Sequence, residues 1–215
     1  MKSQEQQVAQ HLLQIKAIKL SPQNPFVWAS GRRSPIYCDN RVSLSHPEVR
    51  SFLVEQMVAQ SSQFGELYGV AGVATAGIPH GALLADRLNV PFIYIRSKAK
   101  AHGRQNQIEG ELHPSERYLV VEELISTGGS SLLAVDALRE AGGEVAGVLA
   151  LFTYGFAEAE AAFTKAECPF LTLSNYDALL EEALAAGYID VPQQQLLADW
   201  RKDPVAWSDQ FLSRQ

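Results

Sequence analysis

The chain has 215 residues, of which 47% are hydrophobic and 20% are charged, a composition typical of one globular domain. The net charge of −6 excludes a protein that is basic over its whole surface and binds nucleic acid in that way. The sequence has no apolar run of about 18 residues and no apolar signal-like segment near its start, so we expect a cytoplasmic protein. Two cysteines, Cys38 and Cys168, predict reduced thiols rather than a disulfide framework.

The first 65 residues predict helices separated by short strands. Apolar residues at helical spacing predict a helix over residues 4–19. Residues 20–41 are rich in Pro, Gly and Ser with apolar residues between them, which is typical of short strands and turns. A second helix is predicted over residues 46–65, with Pro47 near its start and Gly65 at its end.

Apolar strands alternate with helices through the middle of the chain. The predicted strands cover residues 68–74, 91–96, 118–121 and 144–154, the predicted helices cover 82–88 and 131–143, and a polar stretch without clear periodicity covers 97–117. This alternation predicts an α/β fold with a central, mainly parallel sheet flanked by helices. We expect one domain, with an N-terminal part over about residues 1–45, an α/β core over about 46–175 and a helical C-terminal segment over about 176–215, held by Trp200 and Trp207.

Parallel sheets of this kind bind ligands beyond the carboxyl ends of their strands. Three segments follow the predicted strands and should gather at that edge: residues 75–80, 97–110 and 122–130. We therefore expect the chemistry of the protein to reside in these segments. His80, in the first of them, is interpreted as a helix-cap or surface residue.

The sequence "YLVVEELISTGGSS" at residues 118–131 combines a strand, two acids and a small-residue loop. Its glycines allow a tight turn, and Ser130 and Ser131 are predicted to cap a helix whose N-terminal N–H groups would bind a phosphate. A plain turn capped by serine is the alternative interpretation. Glu122 and Glu123 would repel a phosphate, but they could ligate Mg²⁺ or accept hydrogen bonds from sugar hydroxyls. The pattern therefore indicates a phosphorylated ribose.

Residues 95–110 carry a dense positive cluster within an acidic protein. Its members are Arg96, Lys98, Lys100, His102 and Arg104. A long irregular connection in a compact domain is usually either functional or disordered. The cluster is thus either a solvated basic loop or a lid over a polyanion, in which Arg and Lys neutralise negative charge and His102 donates a proton or a hydrogen bond.

The acidic pair followed by a Ser-Thr-Gly loop resembles the signature of the type I phosphoribosyltransferases. The resemblance implies the type I phosphoribosyltransferase fold with a small N-terminal hood and the donor 5-phospho-α-D-ribose 1-diphosphate (PRPP). It places Glu122 and Glu123 on the ribose hydroxyls, residues 126–130 on the 5′-phosphate and residues 75–77 on the diphosphate. The family usually has Asp where this chain has Glu123. The implied PRPP-binding residues are Arg96, Lys100, His102, Glu122, Glu123, Leu124, Ile125, Ser126, Thr127, Gly128, Gly129, Ser130, Thr75, Ala76 and Gly77.

Two further segments resemble the orotate phosphoribosyltransferases, one family within this group. They are the pattern of Arg96, Lys100, His102 and Gly103 followed by "QIEG", and the hood segment "SGRRSPIYCDNR". The resemblance implies phosphoribosyl transfer to orotate in pyrimidine (UMP) biosynthesis, with Mg²⁺ held mainly by substrate and water. It also implies a homodimer that shares the 97–110 loop between subunits.

The resemblance assigns roles within this reaction as well. Lys100, His102 and Arg96 are the implied catalytic residues, and Ser126, Tyr37, Cys38 and Arg41 are the implied orotate-binding residues. Three alternatives stay open at this point. They are a phosphoribosyltransferase for another base, a non-catalytic regulator that binds PRPP, and a partly inactive relative marked by Glu123.

Overall fold

The computed structural model describes residues 2–28, 31–97 and 107–213. The chain divides into two compact units. One comprises Met1–His46 and Ser174–Gln215, and the other comprises Pro47–Leu173. No helix within the described ranges is long and apolar enough to cross a membrane.

The helices and strands are numbered in chain order. The helices are α1 Gln4–Gln14, α2 Pro47–Ser61, α3 Gly77–Leu88, α4 Gly129–Glu140, α5 Ala157–Lys165, α6 Tyr176–Ala185, α7 Val191–Lys202 and α8 Pro204–Leu212. The strands are β1 Ile18–Leu20, β2 Phe26–Val27, β3 Arg33–Ser34, β4 Ile36–Cys38, β5 Gly69–Val73, β6 Phe92–Ile95, β7 Ile108–Glu109, β8 Arg117–Ile125, β9 Glu144–Thr153 and β10 Phe170–Asn175. Short 3-10 helices cover Asn40–Ser45 and Ser62–Phe64.

The unit that spans Pro47–Leu173 is built on a sheet that has six strands in the described residues. Their order is β10-β9-β8-β5-β6-β7, and the pairs β5–β6, β5–β8 and β8–β9 are parallel. The short β7 is antiparallel to β6. Helices flank this mainly parallel sheet, which confirms the predicted α/β class. The central strand β8 is fully buried from Tyr118 to Val121, because both faces of such a sheet are covered.

The first helix ends earlier than the sequence predicts. Helix α1 stops at Gln14, whereas the periodicity predicts a helix up to residue 19. Lys16 has a left-handed backbone with φ of 59°, which turns the chain. Ile18 and Leu20 then flank the exposed Lys19 in β1, which pairs with β4. The alternation of apolar and polar residues fits a strand better than a helix at this point.

Two boundaries near the predicted loops also differ from the sequence interpretation. Strand β8 continues to Ile125, because its ladder with β9 extends to the pair Ile125 and Thr153. Both glutamates therefore lie on the strand and not after it. Helix α3 begins at Gly77, five residues before the predicted start, and accommodates Pro79 in its first turn, where a missing N–H costs no helical hydrogen bond.

The unit that contains both chain ends is held by aromatic side chains. Trp200 is fully buried, and its ring lies 5.9 Å from Trp28 and 5.6 Å from Tyr176. The prediction that Trp200 packs the C-terminal segment is thus confirmed. Trp207 is only half-buried and stacks on Phe211 within α8, with ring centroids 5.5 Å apart. Helix α1 packs against α6, where Ser174 donates its hydroxyl hydrogen to the Glu5 carbonyl oxygen at 2.8 Å.

His80 lies on the buried side of α3 and not at the surface, so the sequence interpretation of this residue is wrong. It is 1% exposed, and its Nε2 atom has no hydrogen-bond partner among the described residues. Burial lowers the pKa of His80 to about 4 from an ordinary 6.5, because the charged imidazolium is poorly solvated there. The side chain therefore packs as a neutral ring.

This burial predicts a stability that depends on pH. Between pH 6.5 and about 4, His80 binds a proton more readily in the unfolded chain than in the folded chain. The free energy of unfolding therefore decreases as the pH falls through this range. His80→Gln removes the titrating group. Relative to the parent, the unfolding free energy of this variant should rise by up to about 3 kcal/mol between neutral pH and pH 4, as measured by urea unfolding. If the unfolding free energies of the parent and the variant change equally with pH over this range, the prediction is wrong.

Candidate active site

The strand order brings the predicted loops to one edge of the sheet. Strands β8, β5 and β6 are neighbours and run parallel, so their carboxyl ends share that edge. Residues 126–128 follow β8, residues 74–76 follow β5, and Arg96 follows β6. The predicted gathering is thus confirmed for the described residues at these strand ends, whereas residues 98–106 of the middle segment lie outside the described residues.

The crevice between β5 and β8 is a topological switch point. From β5 the chain continues to β6 on one side, and it later returns to β8 on the other side. The helices that follow these two strands diverge at such a point, which leaves room for a ligand between the loops. The sequence analysis could not place this crevice, because strand order depends on pairing between distant segments.

Glu122 links the end of β8 to the first turn of α4. Its Oε1 atom accepts a hydrogen bond from the backbone N–H of Glu123 at 2.8 Å, and its Oε2 atom accepts one from the Ser130 hydroxyl at 2.9 Å. Glu122 as a whole is 6% exposed. Glu122 therefore holds the intervening loop at both ends, in addition to any contact with a ligand.

Burial raises the pKa of the Glu122 carboxyl to about 7. The Glu123 N–H and the Ser130 hydroxyl lower the pKa again, because they donate to the charged form, while the neighbouring Glu123 carboxylate raises it. Glu123 itself is half-buried. The two adjacent acids thus differ in environment, and Glu123 is the more accessible one.

The loop after β8 leads directly into a helix N-terminus. Gly128 has φ of 84° and is the N-cap residue of α4, and as a glycine it has no side chain to cap this first turn. The N–H groups of the turn and the positive end of the helix dipole point toward the loop, which favours an anion. Ser130 and Ser131 lie inside the first turn and not at the cap, contrary to the sequence prediction. Instead, Ser130 serves as the donor to Glu122.

The predicted PRPP residues of this loop differ in accessibility. Thr127, Gly129 and Ser130 are exposed, whereas Ser126 and Leu124 are half-buried. The Ile125 side chain is fully buried, so any contact that Ile125 makes with a ligand comes from its backbone.

Thr153, which the sequence analysis missed, holds the end of the strand. Its hydroxyl donates to the Ile125 carbonyl oxygen at 3.1 Å and accepts from the Gly155 N–H at 3.1 Å. No local sequence signal marks this contact, because it depends on the register between β8 and β9.

The loop after β5 leads into a helix that lies against the backbone of β8 at Val121 and Glu122. Thr75 is exposed, Ala76 is the N-cap residue of α3, and Gly77 begins the helix. A Cβ atom at Gly77 would overlap the Val121 carbonyl oxygen and would lie 3.3 Å from the Glu122 Cα atom. Only glycine permits this close approach, so the start of α3 rests directly on β8. The peptide bond between Ala74 and Thr75 is cis.

Arg96 is fixed at the end of β6. Its N–H donates to the Gln107 carbonyl oxygen at 2.8 Å, and its guanidinium lies 3.5 Å from the Glu109 carboxylate. The remaining members of the positive cluster fall outside the described residues: Lys98, Lys100, His102 and Arg104. The structure therefore places only Arg96 among the predicted catalytic residues.

The predicted orotate-binding residues of the hood lie in the other unit. Tyr37 and Cys38 are on β4, and Tyr37 is 41% exposed with its ring 5.7 Å from that of Phe26. Arg41 donates from Nε and Nη2 to Asp39 at 2.6 and 3.1 Å, and this hydrogen bond is the largest cause of the lowered pKa of Asp39. The sequence analysis missed the pairing of Asp39 with Arg41, although the spacing of two residues was a signal for it.

Comparison with known proteins identifies the class to which this fold and site belong. Residues 52–172 match the family model described as the phosphoribosyl transferase domain. The matched range contains both glutamates, the loops after β5 and β8, and Arg96.

Curated relatives match nearly the whole chain. A Bacteroides thetaiotaomicron protein named orotate phosphoribosyltransferase is 55% identical over 208 residues, which cover 96% of this chain and 98% of that protein. A Listeria monocytogenes protein of the same name is 50% identical, over 94% of this chain and 98% of its own. The crystal structure of orotate phosphoribosyltransferase from Aeropyrum pernix is 29% identical with a TM-score of 0.74, and the match covers 85% of this chain and 99% of that one. The chain belongs to the orotate phosphoribosyltransferase family.

The two glycines at the start of α4 provide a matched test of the loop. Gly128→Ala should lower the unfolding free energy by about 1–3 kcal/mol. The backbone of residue 128 has φ of 84°, which strains alanine, and the added Cβ atom would lie 2.9 Å from the Phe163 ring. Gly129→Ala is the control. Its Cβ meets nothing within 4 Å, and alanine suits the helix, so the change should stay within about 1 kcal/mol. Urea unfolding of both variants measures the difference, and equal effects would contradict the role of Gly128.

Proposed function

We propose that the protein transfers the phosphoribosyl group of PRPP to orotate. The products are orotidine 5′-phosphate and diphosphate, a step of de novo pyrimidine (UMP) biosynthesis. The observation that carries the proposal is the placement of Glu122 and Glu123 between two helix-start loops at the switch point of the sheet. The near full-length identity to proteins named orotate phosphoribosyltransferase supports orotate as the acceptor.

The donor fits the crevice in one orientation. The backbone N–H groups of residues 126–130, which lead into the first turn of α4, bind the 5′-phosphate. The α4 dipole and these N–H donors favour a dianion there. The accessible Glu123 accepts hydrogen bonds from the ribose hydroxyls, and Glu122 holds the loop through Ser130. The backbone of residues 75–77 faces the diphosphate at the start of α3.

The chemistry requires positioning and electrostatics rather than a protein nucleophile. The bond between C1 and the diphosphate oxygen breaks with its electron pair on the diphosphate, and an orotate ring nitrogen adds to the opposite face of the cationic ribose. Arg96 and Lys100 neutralise the departing diphosphate, and His102 donates a proton or a hydrogen bond to it. Exclusion of water by the 97–110 loop protects the ribosyl cation from hydrolysis.

The acid that fits Mg²⁺ is Glu123. Its half-buried carboxylate is more accessible than that of the buried Glu122, and it would offer the hard oxygen that Mg²⁺ prefers. When bound, Mg²⁺ would supply positive charge that favours the departure of the diphosphate. Substrate oxygens and water provide its other ligands, since Mg²⁺ loses water reluctantly.

The family resemblance supports the acceptor site and the assembly that we propose. Ser126, Tyr37, Cys38 and Arg41 bind orotate, and the exposed Tyr37 ring offers an aromatic face for the planar base. The enzyme works in the cytoplasm as a homodimer, and the 97–110 loop of one subunit covers the site of the other.

A steady-state assay of orotate loss tests the activity. We expect consumption of orotate only when PRPP and Mg²⁺ are both present, and no consumption of PRPP when uracil, guanine or hypoxanthine replaces orotate. Turnover with a purine would assign the chain to another base specificity. Tight PRPP binding without turnover on any base would indicate a regulator.

Lys100 is expected to act on the diphosphate, so Lys100→Ala should lower kcat by about tenfold or more. Lys98→Ala is the matched control, because it removes the same charge two residues away and lies outside the Arg-x-x-x-Lys-x-His pattern. The kcat of Lys98→Ala should stay within about threefold of the parent, because the variant loses only a nearby positive charge that salt screens from the diphosphate. A kcat for Lys100→Ala within twofold of the parent would rule out its catalytic role.

A further inference from the structure

We propose that Glu109 holds the Arg96 guanidinium beside the diphosphate loop and competes with the diphosphate for it. Glu109 thereby weakens the binding of this product and speeds its release. The inference rests on the proposed function, because Arg96 meets a diphosphate only if the crevice binds PRPP.

The register of β6 and β7 puts the two side chains on one face. Tyr94 pairs with Glu109 and Ile95 pairs with Ile108. The ladder continues one step further, where the Arg96 N–H donates to the Gln107 carbonyl oxygen at 2.8 Å. Because side chains alternate along a strand, Ile95 and Ile108 face the core together, and Arg96 and Glu109 share the opposite face.

On that face Arg96 and Glu109 are diagonal neighbours, which long side chains can span. The guanidinium Nη1 and carboxylate Oε1 atoms lie 3.5 Å apart, and the two side chains are 39% and 25% exposed. A long and partly solvated ion pair of this kind adds little to stability and breaks easily. Glu109 therefore aims Arg96 without locking it.

The pair lies beside the loop proposed for the diphosphate. The Ala74 N–H, immediately before Thr75, donates to the Ile95 carbonyl oxygen at 2.8 Å, and Arg96 is the next residue. An incoming diphosphate carries more negative charge than the Glu109 carboxylate and offers several acceptor oxygens, so it takes over the guanidinium. When the diphosphate dissociates, Glu109 pairs with Arg96 again. This pairing lowers the free-energy cost of removing the diphosphate from the guanidinium.

The inference predicts a gain in affinity when the carboxylate is removed. Glu109→Gln keeps the size of the side chain but removes its charge, so inorganic diphosphate should bind about two- to fivefold more tightly. A purely structural role of Glu109 would produce the opposite change, because a loosened β6–β7 pair would misplace Arg96. Product inhibition by diphosphate should strengthen in parallel.

Isothermal titration calorimetry with inorganic diphosphate and Mg²⁺ on the full chain tests this. Glu111→Gln is the matched control, since it removes the same charge two residues along the chain from a side chain that is 87% exposed. Arg96→Ala and the double variant Arg96→Ala/Glu109→Gln complete a cycle, which isolates the coupling between the two residues. Circular dichroism verifies that each variant is folded.

Each outcome decides between the claims. Tighter diphosphate binding in Glu109→Gln, a smaller change in Glu111→Gln, and no effect of Glu109→Gln in the Arg96→Ala background support the inference. Equal changes in diphosphate affinity in the two glutamine variants, or weaker binding in Glu109→Gln, would overturn the inference. If Arg96→Ala still binds diphosphate poorly in that case, the proposed function stands. Failure of the parent protein to bind diphosphate would instead refute the proposed function.

Discussion

The site depends on the hydrogen bonds that the buried Glu122 carboxylate accepts from Glu123 and Ser130. They join the end of the central strand to the first turn of the following helix, so the loop between them has fixed ends. A carboxylate buried in this way is costly unless it has hydrogen-bond donors, and the raised pKa of Glu122 reflects that cost. With the loop fixed, the N–H groups of α4 are already directed at the place where an anion would lie, and binding requires little reordering.

The neighbouring loop adds a second constraint of a different kind. The start of α3 lies on the backbone of β8, because Gly77 has no side chain to hold the two apart. Two helix N-termini therefore border one crevice, and the acids of β8 lie between them. Under the proposed function, this arrangement would separate the phosphate and the diphosphate of the donor from its neutral diol.

Much of this arrangement was predictable from short-range patterns. The apolar runs of β5, β6, β8 and β9 predicted buried parallel strands, and their loops were therefore expected at one edge. The sequence could not show that Glu122 and Glu123 lie on the strand, because charged residues normally end an apolar run. It also could not assign a partner to Glu109, since that contact spans 13 residues and depends on the register of a two-residue strand. His80 was misjudged for a related reason, because polarity alone does not reveal which side of a helix is covered.

The Phe163 ring, which limits the space at Gly128, belongs to α5 and packs against the tilted ring of Phe170, with ring centroids 4.4 Å apart. The turn that is proposed to bind the 5′-phosphate thus rests on an aromatic support from a part of the chain that contributes no proposed ligand contact. Exchange of either ring for a smaller side chain would give the turn freedom to move and would lower donor affinity while every polar group of the crevice remained in place. Evolution or engineering could therefore adjust the strength of substrate capture from behind the site, without altering the groups that are proposed to recognise the sugar.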